Sequence, residues 1–299
     1  LISTHVPNLY SERVGNSEHV QLVVVVPTFN PPANPNLEKL VTTLALSGFP
    51  VLISDDASVV THDPALHQLR DIPGVRITRH LRNEGIARGL NEGLDLALTV
   101  GATWLLTVDQ DSLVTSDYIP TLLNFANTIN NQLWTDNPIG AVAPASISDA
   151  SGEITYPTKV LATSQVNSLL TTEEVMQSGA LWNVQALDRV GGFDSDLAID
   201  AVDAAACLRL REVGFVIAVT AEVTISHNLG AARQVRLFGR TVTVTGHSRS
   251  RRASIIKNRL KLAPAEFRQS PKHALRTLRR VAVNEVLGSV VPRPKEKKD

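Results

Sequence analysis

Cysteine is nearly absent from this chain of 299 residues, in which Cys207 stands alone. A single thiol cannot form an internal disulfide, and no set of Cys and His has zinc-finger spacing, so a disulfide framework and a structural zinc site are both excluded. A reducing, cytosolic setting is the expectation. Long apolar runs are missing too. Stretches such as Leu96 to Val108 fall short of the roughly 20 residues that a membrane-spanning helix needs, and the first residues lack a charged-then-apolar leader pattern. The expectation is a protein neither secreted nor threaded through a bilayer. There is no G-x-G-x-x-G fingerprint and no Walker loop, so the phosphate cradles of those two folds are unavailable. Disorder is excluded for most of the chain by what is present, since 43% of the residues are hydrophobic and 19% charged, enough for one large domain or two small ones.

The formal net charge of zero conceals a division. Residues 1–228 carry 11 Lys and Arg against 25 Asp and Glu, a net −14, whereas residues 229–299 carry 18 against 4, a net +14. A basic tail of this strength points to an anionic partner such as a diphosphate or an acidic membrane surface, with a solvated helical face as the plain alternative. Nucleic acid is not the expected partner. Phe238 and Phe267 are the only aromatic residues of the tail, and single-strand binders interleave stacking rings with their basic residues.

Residues 1–19 are polar and unpatterned and read as an arm. Val23 to Val26 then form a β-branched run ending at Pro27, the pattern of a strand buried on both faces of a parallel sheet. After a Pro-rich loop, Leu37, Leu40, Val41 and Leu44 recur at helical spacing, with Asn36 as the expected N-cap and Gly48 as the stop. Val51 to Ser54, Val75 to Thr78 and Thr103 to Val108 are further strands. Ile86, Leu90, Leu94 and Leu98 mark a helix after Asn83. The alternation predicts an α/β fold with an open, mostly parallel sheet and helices on both faces. Ligands of such sheets sit beyond the C-terminal strand ends, which makes Pro27-Thr28-Phe29-Asn30, Asp55-Asp56-Ala57-Ser58 and Asp109-Gln110-Asp111-Ser112 the segments that line one crevice.

Asp109 and Asp111 stand two apart at the end of an apolar strand, so in extended chain both carboxylates point the same way. That arrangement suits a hard divalent cation, Mg²⁺ or Mn²⁺, whose oxygen ligands are typically one or two carboxylates plus substrate phosphates. The competing reading is an Asp-rich turn bonded to its own backbone.

Taken in order, Val26-Pro27-Thr28-Phe29-Asn30, Ser54-Asp55-Asp56-Ala57-Ser58, Asn83-Glu84-Gly85-Ile86-Ala87 continuing to Asn91, and Asp109-Gln110-Asp111 resemble the motifs of the family 2 inverting glycosyltransferases with the GT-A fold. Gly191-Gly192-Phe193-Asp194, Ile199-Asp200-Ala201-Val202-Asp203, Cys207-Leu208-Arg209-Leu210-Arg211, Gly214-Phe215 and His227 to Gly230 resemble that family's second half, so residues 20 to 260 are covered. Asp-Gln-Asp-Ser, and Val-Asp followed by Leu-Arg-Leu-Arg, are similar to the rhamnosyltransferase branch, which implies dTDP-L-rhamnose as donor. The implied organisation is a GT-A domain over residues 20–228, with a nucleotide-binding half at 20–111 and an acceptor half at 112–228, followed by a basic, mainly helical extension over 229–299.

The resemblance implies that Thr28, Asn30 and Asp55 surround the base and ribose, with Asp55 accepting the base imide hydrogen. It places Asn83 and Gly85 beside the nucleotide, where glycine permits close backbone approach and a helix start favours anions. Asn83 reads equally well as a helix N-cap. Arg88 would reach the diphosphate, Asp109 would hold ribose or metal, Asp111 the metal, and His227 the metal or a phosphate. On its own His227 reads as a satisfied structural histidine, and as a ligand it would favour Mn²⁺ over Mg²⁺. Asp56 reads as a turn former. Gln177-Ser178-Gly179-Ala180-Leu181-Trp182 resembles the segment that recognises donor sugar and acceptor, with Gly179 and Trp182 as contacts. Trp182 serves either as a sugar-stacking ring or as a core residue.

An inverting transfer needs a carboxylate to take the acceptor's hydroxyl proton on the face opposite the leaving diphosphate. The resemblance gives that role to Asp203, four residues before Cys207-Leu208-Arg209, with Asp200 as runner-up. Without it, either carboxylate would simply complement a helix N-terminus. The family's usual second acidic residue is replaced by Ala205, which implies different acceptor contacts or weakened activity. Competing functions are transfer from a UDP-sugar, a nucleotidyltransferase, which would need a basic Gly-rich loop after the first strand, and a non-catalytic nucleotide-sugar or glycan-binding module. Enzymes of this resemblance build surface polysaccharides on saccharide or lipid-linked acceptors. The tail residues Arg249, Arg251, Arg252, Lys257, Arg276, Arg279 and Arg280 are therefore expected to hold the protein to the anionic inner face of the plasma membrane. The alternative is a helical contact with the body, or with a second copy in a homodimer, through Leu275, Leu278, Val281 and Val283.

Overall fold

The first strand, β1 (Leu22–Thr28), is buried along its whole length. Its alternate side chains feed two separate cores: Val23 and Val25 enter one, Leu22, Val24 and Val26 the other. That two-sided burial makes it a central strand. The computed structural model describes residues 20–290 apart from 33, 134–136, 150–151, 162–167, 198–199, 228–232, 238–239 and 245–248. The arm expected over residues 1–19 lies outside the described residues.

After β1 come α1 (Asn36–Ala45), β2 (Val51–Asp55), α2 (Asp63–Leu69), β3 (Val75–Arg79), α3 (Ile86–Thr99) and β4 (Trp104–Thr107). The chain continues through β5 (Ser112–Leu113), α4 (Tyr118–Leu133), β6 (Ile139–Pro144), β7 (Ser146–Asp149), β8 (Gly152–Thr155), β9 (Lys159–Leu161), β10 (Leu169–Thr171) and β11 (Ala180–Asn183). There follow α5 (Val184–Arg189), α6 (Val202–Glu212), β12 (Val216–Thr220), β13 (Ile225–His227), β14 (Arg233–Leu237), β15 (Arg240–Val244), α7 (Arg249–Gln269) and α8 (Pro271–Val290). The main sheet has the order β3-β2-β1-β4-β11-β6-β12-β10-β9. Strands β3, β2, β1 and β4 are parallel, β11 runs against both β4 and β6, and β12 is parallel to β6. Leu90 and Leu94 of α3 and Leu187 of α5 cover one face, while Leu40 and Leu44 of α1 and Leu122 of α4 cover the other. Helix α3 rides close on β1, since a Cβ on Gly93 would come within 2.6 Å of Val25 Cβ. The expected α/β architecture is therefore present, with the C-terminal ends of β1, β2 and β4 at one edge.

Several local expectations shift. Helix α1 begins at Asn36 with Pro35 in the cap position, and the side-chain bond comes from Asn34, whose Oδ1 accepts the Asn36 amide at 3.0 Å. The short α2 escaped a reading based on long periodicity. The extension opens on the two-stranded ribbon β14–β15 before its helices. A second sheet, β5-β13-β7-β8, stands beside the main one. Among the described residues no helix is long and apolar enough to cross a membrane.

Candidate active site

Parallel registers set the nucleotide-facing end. Thr28 pairs with Asp55, and Asp55 with Arg79. Asp55 is fully buried. It accepts hydrogen bonds from Thr28 Oγ1 (3.2 Å), from the Ser58 hydroxyl and from the Ser58 amide (3.2 Å), and it pairs with Arg79 Nε at 3.3 Å. Asn30, in the left-handed region at φ 45°, gives its amide to Ser58 Oγ (2.8 Å) and accepts the Val59 amide on Oδ1 (2.9 Å). Thr28, Asn30 and Asp55 thus converge as expected. A carboxylate has about four acceptor positions, and those of Asp55 are engaged within the chain. In this conformation Asp55 orders the loop, and reading a base imide directly would require one of these donors to let go.

Asp56 does more than form a turn. Its two oxygens accept the amides of Glu84 (2.7 Å) and Gly85 (2.9 Å), and His80 Nδ1 lies 3.0 Å from Oδ1. The cap position of α3 belongs to Gly85 at φ 90°, not to Asn83, which is exposed. A donor that the notion of a local cap assigns to Asn83 is met instead by a carboxylate 28 residues upstream. Arg88 is half exposed between Glu84 (3.6 Å) and Glu92 (3.5 Å), two carboxylates that compete with any diphosphate for it.

The metal-binding expectation is met in geometry. Antiparallel pairing of β13 with β5 sets His227 opposite Ser112. This brings one donor atom each from Asp109, Asp111 and His227 within 4.8 Å of one another. His227 Nε2 lies 3.7 Å from Asp109 Oδ2, and Nδ1 lies 3.5 Å from Asp111 Oδ1. Nδ1 is also 2.8 Å from Ser112 Oγ, which meets Ser178 Oγ at 2.7 Å, and that oxygen accepts the Asp109 amide at 2.9 Å. Burial pushes the Asp109 carboxyl up to about 6, with the charges of Asp111 and Asp203 adding to it against His227 and a hydrogen bond from Gln177. Two carboxylates and an imidazole so arranged fit a divalent cation of the Mn²⁺ type.

Asp203 stands in the first turn of α6. Burial raises its pKa, Glu174 raises it further, and Arg259 together with the amides of Ala204 and Gln177 opposes the rise. Gln177 stands between the two acidic groups: its backbone amide helps to lower the Asp203 pKa, and its side-chain Nε2 donates to Asp109 Oδ1. Asp200, the runner-up, is drawn to α7 by Arg251 at 3.3 Å. Both Asp200 and Ala201 sit at φ 63°, a conformation that costs a residue with a Cβ about 1–2 kcal/mol. Ala205 is 2% exposed in the apolar core, so an acidic side chain there would be buried among hydrophobic neighbours.

One expected sugar contact is corrected. Trp182 is fully buried on β11, donates from Nε1 to Thr107 Oγ1 (2.9 Å) and meets Phe193 edge to face at 5.3 Å. Antiparallel pairing with β4 points it into the core, where no sugar can reach. Gly179 lacks a side chain because a Cβ there would fall 2.6 Å from Tyr118 OH and 2.8 Å from Ile225 Cδ1. The Gly191-Gly192-Phe193 turn is held from both sides: Asn91 bonds the Phe193 amide (2.8 Å) and carbonyl (2.9 Å), and Arg209 donates to the carbonyls of Val190 (2.9 Å) and Gly192 (2.7 Å).

Three partnerships lay beyond the sequence reading. The Gln110 side chain bonds the Phe29 amide (2.9 Å) and carbonyl (3.1 Å), tying the first loop to the acidic one. Gln177 lay inside a quoted segment, but nothing in its spacing singled out its long side chain. Finally, Glu174, Glu266 and His273 cluster beneath Asp203. Their charge is met by Arg259, 2.7 Å from Glu174 and 3.6 Å from Glu266, and by Arg280, 3.0 Å from Glu174. A guanidinium already stands where a cation would bind.

Carboxylates and a histidine thus meet at one crevice beyond the strand ends of an α/β sheet, and known proteins share this arrangement of fold. Residues 23–141 match the model of Glycosyl transferase family 2. The chain is 26% identical over 246 residues to the dTDP-rhamnosyl transferase RfbF of Shigella flexneri, covering 79% of this chain and 78% of that one. It is similar in fold to TarS 1-349 of S. aureus (TM-score 0.56, 15% identity, 89% of this chain and 70% of that one). It is likewise similar to GalNAc-T7 crystallised with UDP, GalNAc and Mn2+ (TM-score 0.56, 13% identity, 83% and 48%). The fold is that of the GT-A glycosyltransferases, and the chain is similar to Glycosyl transferase family 2 over its first half and to a dTDP-rhamnosyl transferase over most of its length.

Proposed function

We propose that the protein transfers a sugar, L-rhamnose from dTDP-L-rhamnose, with inversion to a hydroxyl of a saccharide or lipid-linked saccharide in cell-surface polysaccharide synthesis. The observation that carries this reading is the meeting of Asp109, Asp111 and His227 next to Asp203, through Gln177. The donor choice is supported by the likeness to dTDP-rhamnosyl transferase RfbF. Asp109, Asp111 and His227 would hold Mn²⁺ or Mg²⁺, which supplies charge neutralisation to the leaving diphosphate. Thr28, Asn30 and the loop ordered by Asp55 line the base and ribose, and Asn83, Gly85 and Arg88 face the phosphates. Asp203 takes the acceptor's hydroxyl proton while that oxygen bonds to the anomeric carbon and the sugar–phosphate bond breaks on the opposite face. Burial raises its pKa above the usual aspartate value, which makes the ionised carboxylate a stronger base.

The test is a panel of nucleotide sugars in thermal-shift assays with and without Mn²⁺, because a ligand of the folded state raises the melting temperature. A shift for dTDP-L-rhamnose that needs Mn²⁺ supports the reading. A UDP-sugar shift in its place reassigns the donor. Donor binding with no nucleotide release on adding acceptor makes the protein a binding module.

The extension is proposed to rest on an anionic membrane surface, in a cytoplasmic setting. Arg251, Arg252 and Arg280 leave the expected set, since they pair with Asp200, Glu285 and Glu174. Lys257, Arg276 and Arg279 are exposed, as is Leu275, which does not pack on the body. Each basic residue near such a surface contributes about 1 kcal/mol. Sedimentation with anionic vesicles that fades as salt rises supports attachment, and equal indifference to neutral and anionic vesicles refutes it.

A further inference from the structure

Helix α7 reaches the candidate base from behind. Asn258, 7% exposed, donates from Nδ2 to the carbonyls of Leu197 (3.2 Å) and Asp200 (3.0 Å). The second of these carbonyls belongs to the residue pair, Asp200 and Ala201, that leads directly into α6 and Asp203. Next to it, Arg259 holds Glu174 at 2.7 Å. Glu174 begins the stretch that ends at Gln177, whose backbone amide favours the charged form of Asp203. Arg251, two turns earlier on α7, draws Asp200 at 3.3 Å. One helix of the extension thus grips both backbone segments that border Asp203, and the gripped turn contains two consecutive left-handed residues, Asp200 and Ala201.

We propose that α7 is an integral part of the transferase site and that Asn258 is a positioning residue for Asp203, fixing the turn before α6 so that the carboxylate meets the acceptor hydroxyl. The inference rests on the reading of Asp203 as base. Left-handed conformations of residues with a Cβ persist where the surroundings over-determine them. In a two-residue left-handed turn, the Asn258 amide supplies that determination by engaging carbonyls that the helix cannot satisfy. A shift of about 1 Å in a reacting group costs about 10²-fold in rate, so a clamp with no substrate contact affects turnover strongly.

The test uses the full chain with Asn258→Ala and Asn258→Asp; the second keeps the size and removes the donor. Three quantities are measured: amide hydrogen exchange over residues 200–204, calorimetric binding of dTDP with Mn²⁺, and the rate of dTDP release from dTDP-L-rhamnose. Both variants are expected to exchange faster over 200–204 and to lose about 10²-fold in kcat, with KM and Mn²⁺–dTDP affinity unchanged. In an Asp203→Asn background, Asn258→Ala is expected to add no further loss, because both act through one group. Wild-type exchange and kcat in Asn258→Asp, or losses that simply multiply with those of Asp203→Asn, overturn the proposal. Normal turnover in Asp203→Asn alone defeats the base reading, and the exchange data then still decide whether Asn258 holds the turn. If Asn258→Ala does not melt cooperatively, Arg251→Gln is used in its place, with a smaller change in the same direction expected and no change over 200–204 counting against the clamp.

Discussion

The two sides of the crevice treat their carboxylates in opposite ways. On the nucleotide side, Asp55 and Asp56 are surrounded by donors: Thr28, Ser58 and Arg79 around one, the amides of Glu84 and Gly85 with His80 around the other. On the far side, Asp109 and Asp111 meet His227 and Gln177, and burial drives Asp109 and Asp203 upward in pKa, helped by the charges of Asp111 and Asp203 at the first and of Glu174 at the second. A carboxylate saturated with donors is a scaffold that shapes a loop. A carboxylate raised by burial and like charge is a group that gains from a cation or a proton, which is what a transferase asks of it. Sequence motifs that look alike, Asp-Asp after one strand and Asp-x-Asp after another, therefore do different work according to the donors that tertiary structure brings to them.

The largest expected effect comes from Asp203→Asn. Turnover should fall by roughly 10² to 10⁴-fold for the loss of a general base while donor affinity stays nearly intact; steady-state kinetics beside calorimetry read the split. Near-normal turnover moves the role to Asp200 or abolishes it. Next is the support beneath the base. Burial alone would raise Glu174, yet Arg259, His273 and Arg280 outweigh it and hold it well below the usual carboxylate range. Its contribution to stability is then complete above pH 4.5 and fades as pH falls through the lower value that the folded state imposes. Arg259→Met removes the largest of these partners, leaving Glu174 to His273 and Arg280 alone, and should cost up to about 3 kcal/mol in denaturant melts at pH 7. An unchanged melt would mean that the cluster is not the foundation of the acidic side. The smallest effect belongs to Gln110→Ala, which cuts the tie between the two sides. The loss of two partly exposed hydrogen bonds should cost about 1 kcal/mol, a several-fold loss of dTDP affinity read by calorimetry.

Much of this was legible in the chain. The buried run Leu22 to Val26, the strand ends and the Asp109–Asp111 pair follow from local pattern, and the resemblance supplied His227 and Asp203. What escaped depended on distant partners. Asn83 has the chemistry of a cap, but Asp56 reached the orphan amides first. Trp182 carried both readings until the β4–β11 register turned it inward. Gln110 and Gln177 are ordinary polar residues in sequence, and their long side chains matter only because backbone and carboxylate from elsewhere arrive beside them. The basic tail looked like a single charged surface, yet Arg251, Arg259 and Arg280 are spent on acidic residues of the body.

The central claim, that the acidic side is a cation site serving nucleotide-sugar transfer, is tested most directly by titrating Mn²⁺ into the wild-type chain and Asp111→Asn, with and without dTDP, and following bound manganese by electron paramagnetic resonance. Replacing a charged oxygen ligand by an amide should weaken Mn²⁺ binding by at least the roughly 10–100-fold that loss of a mere outer-shell partner costs, and dTDP should tighten binding in the wild type alone. Equal manganese affinity in the two proteins, with no response to dTDP, would contradict the account.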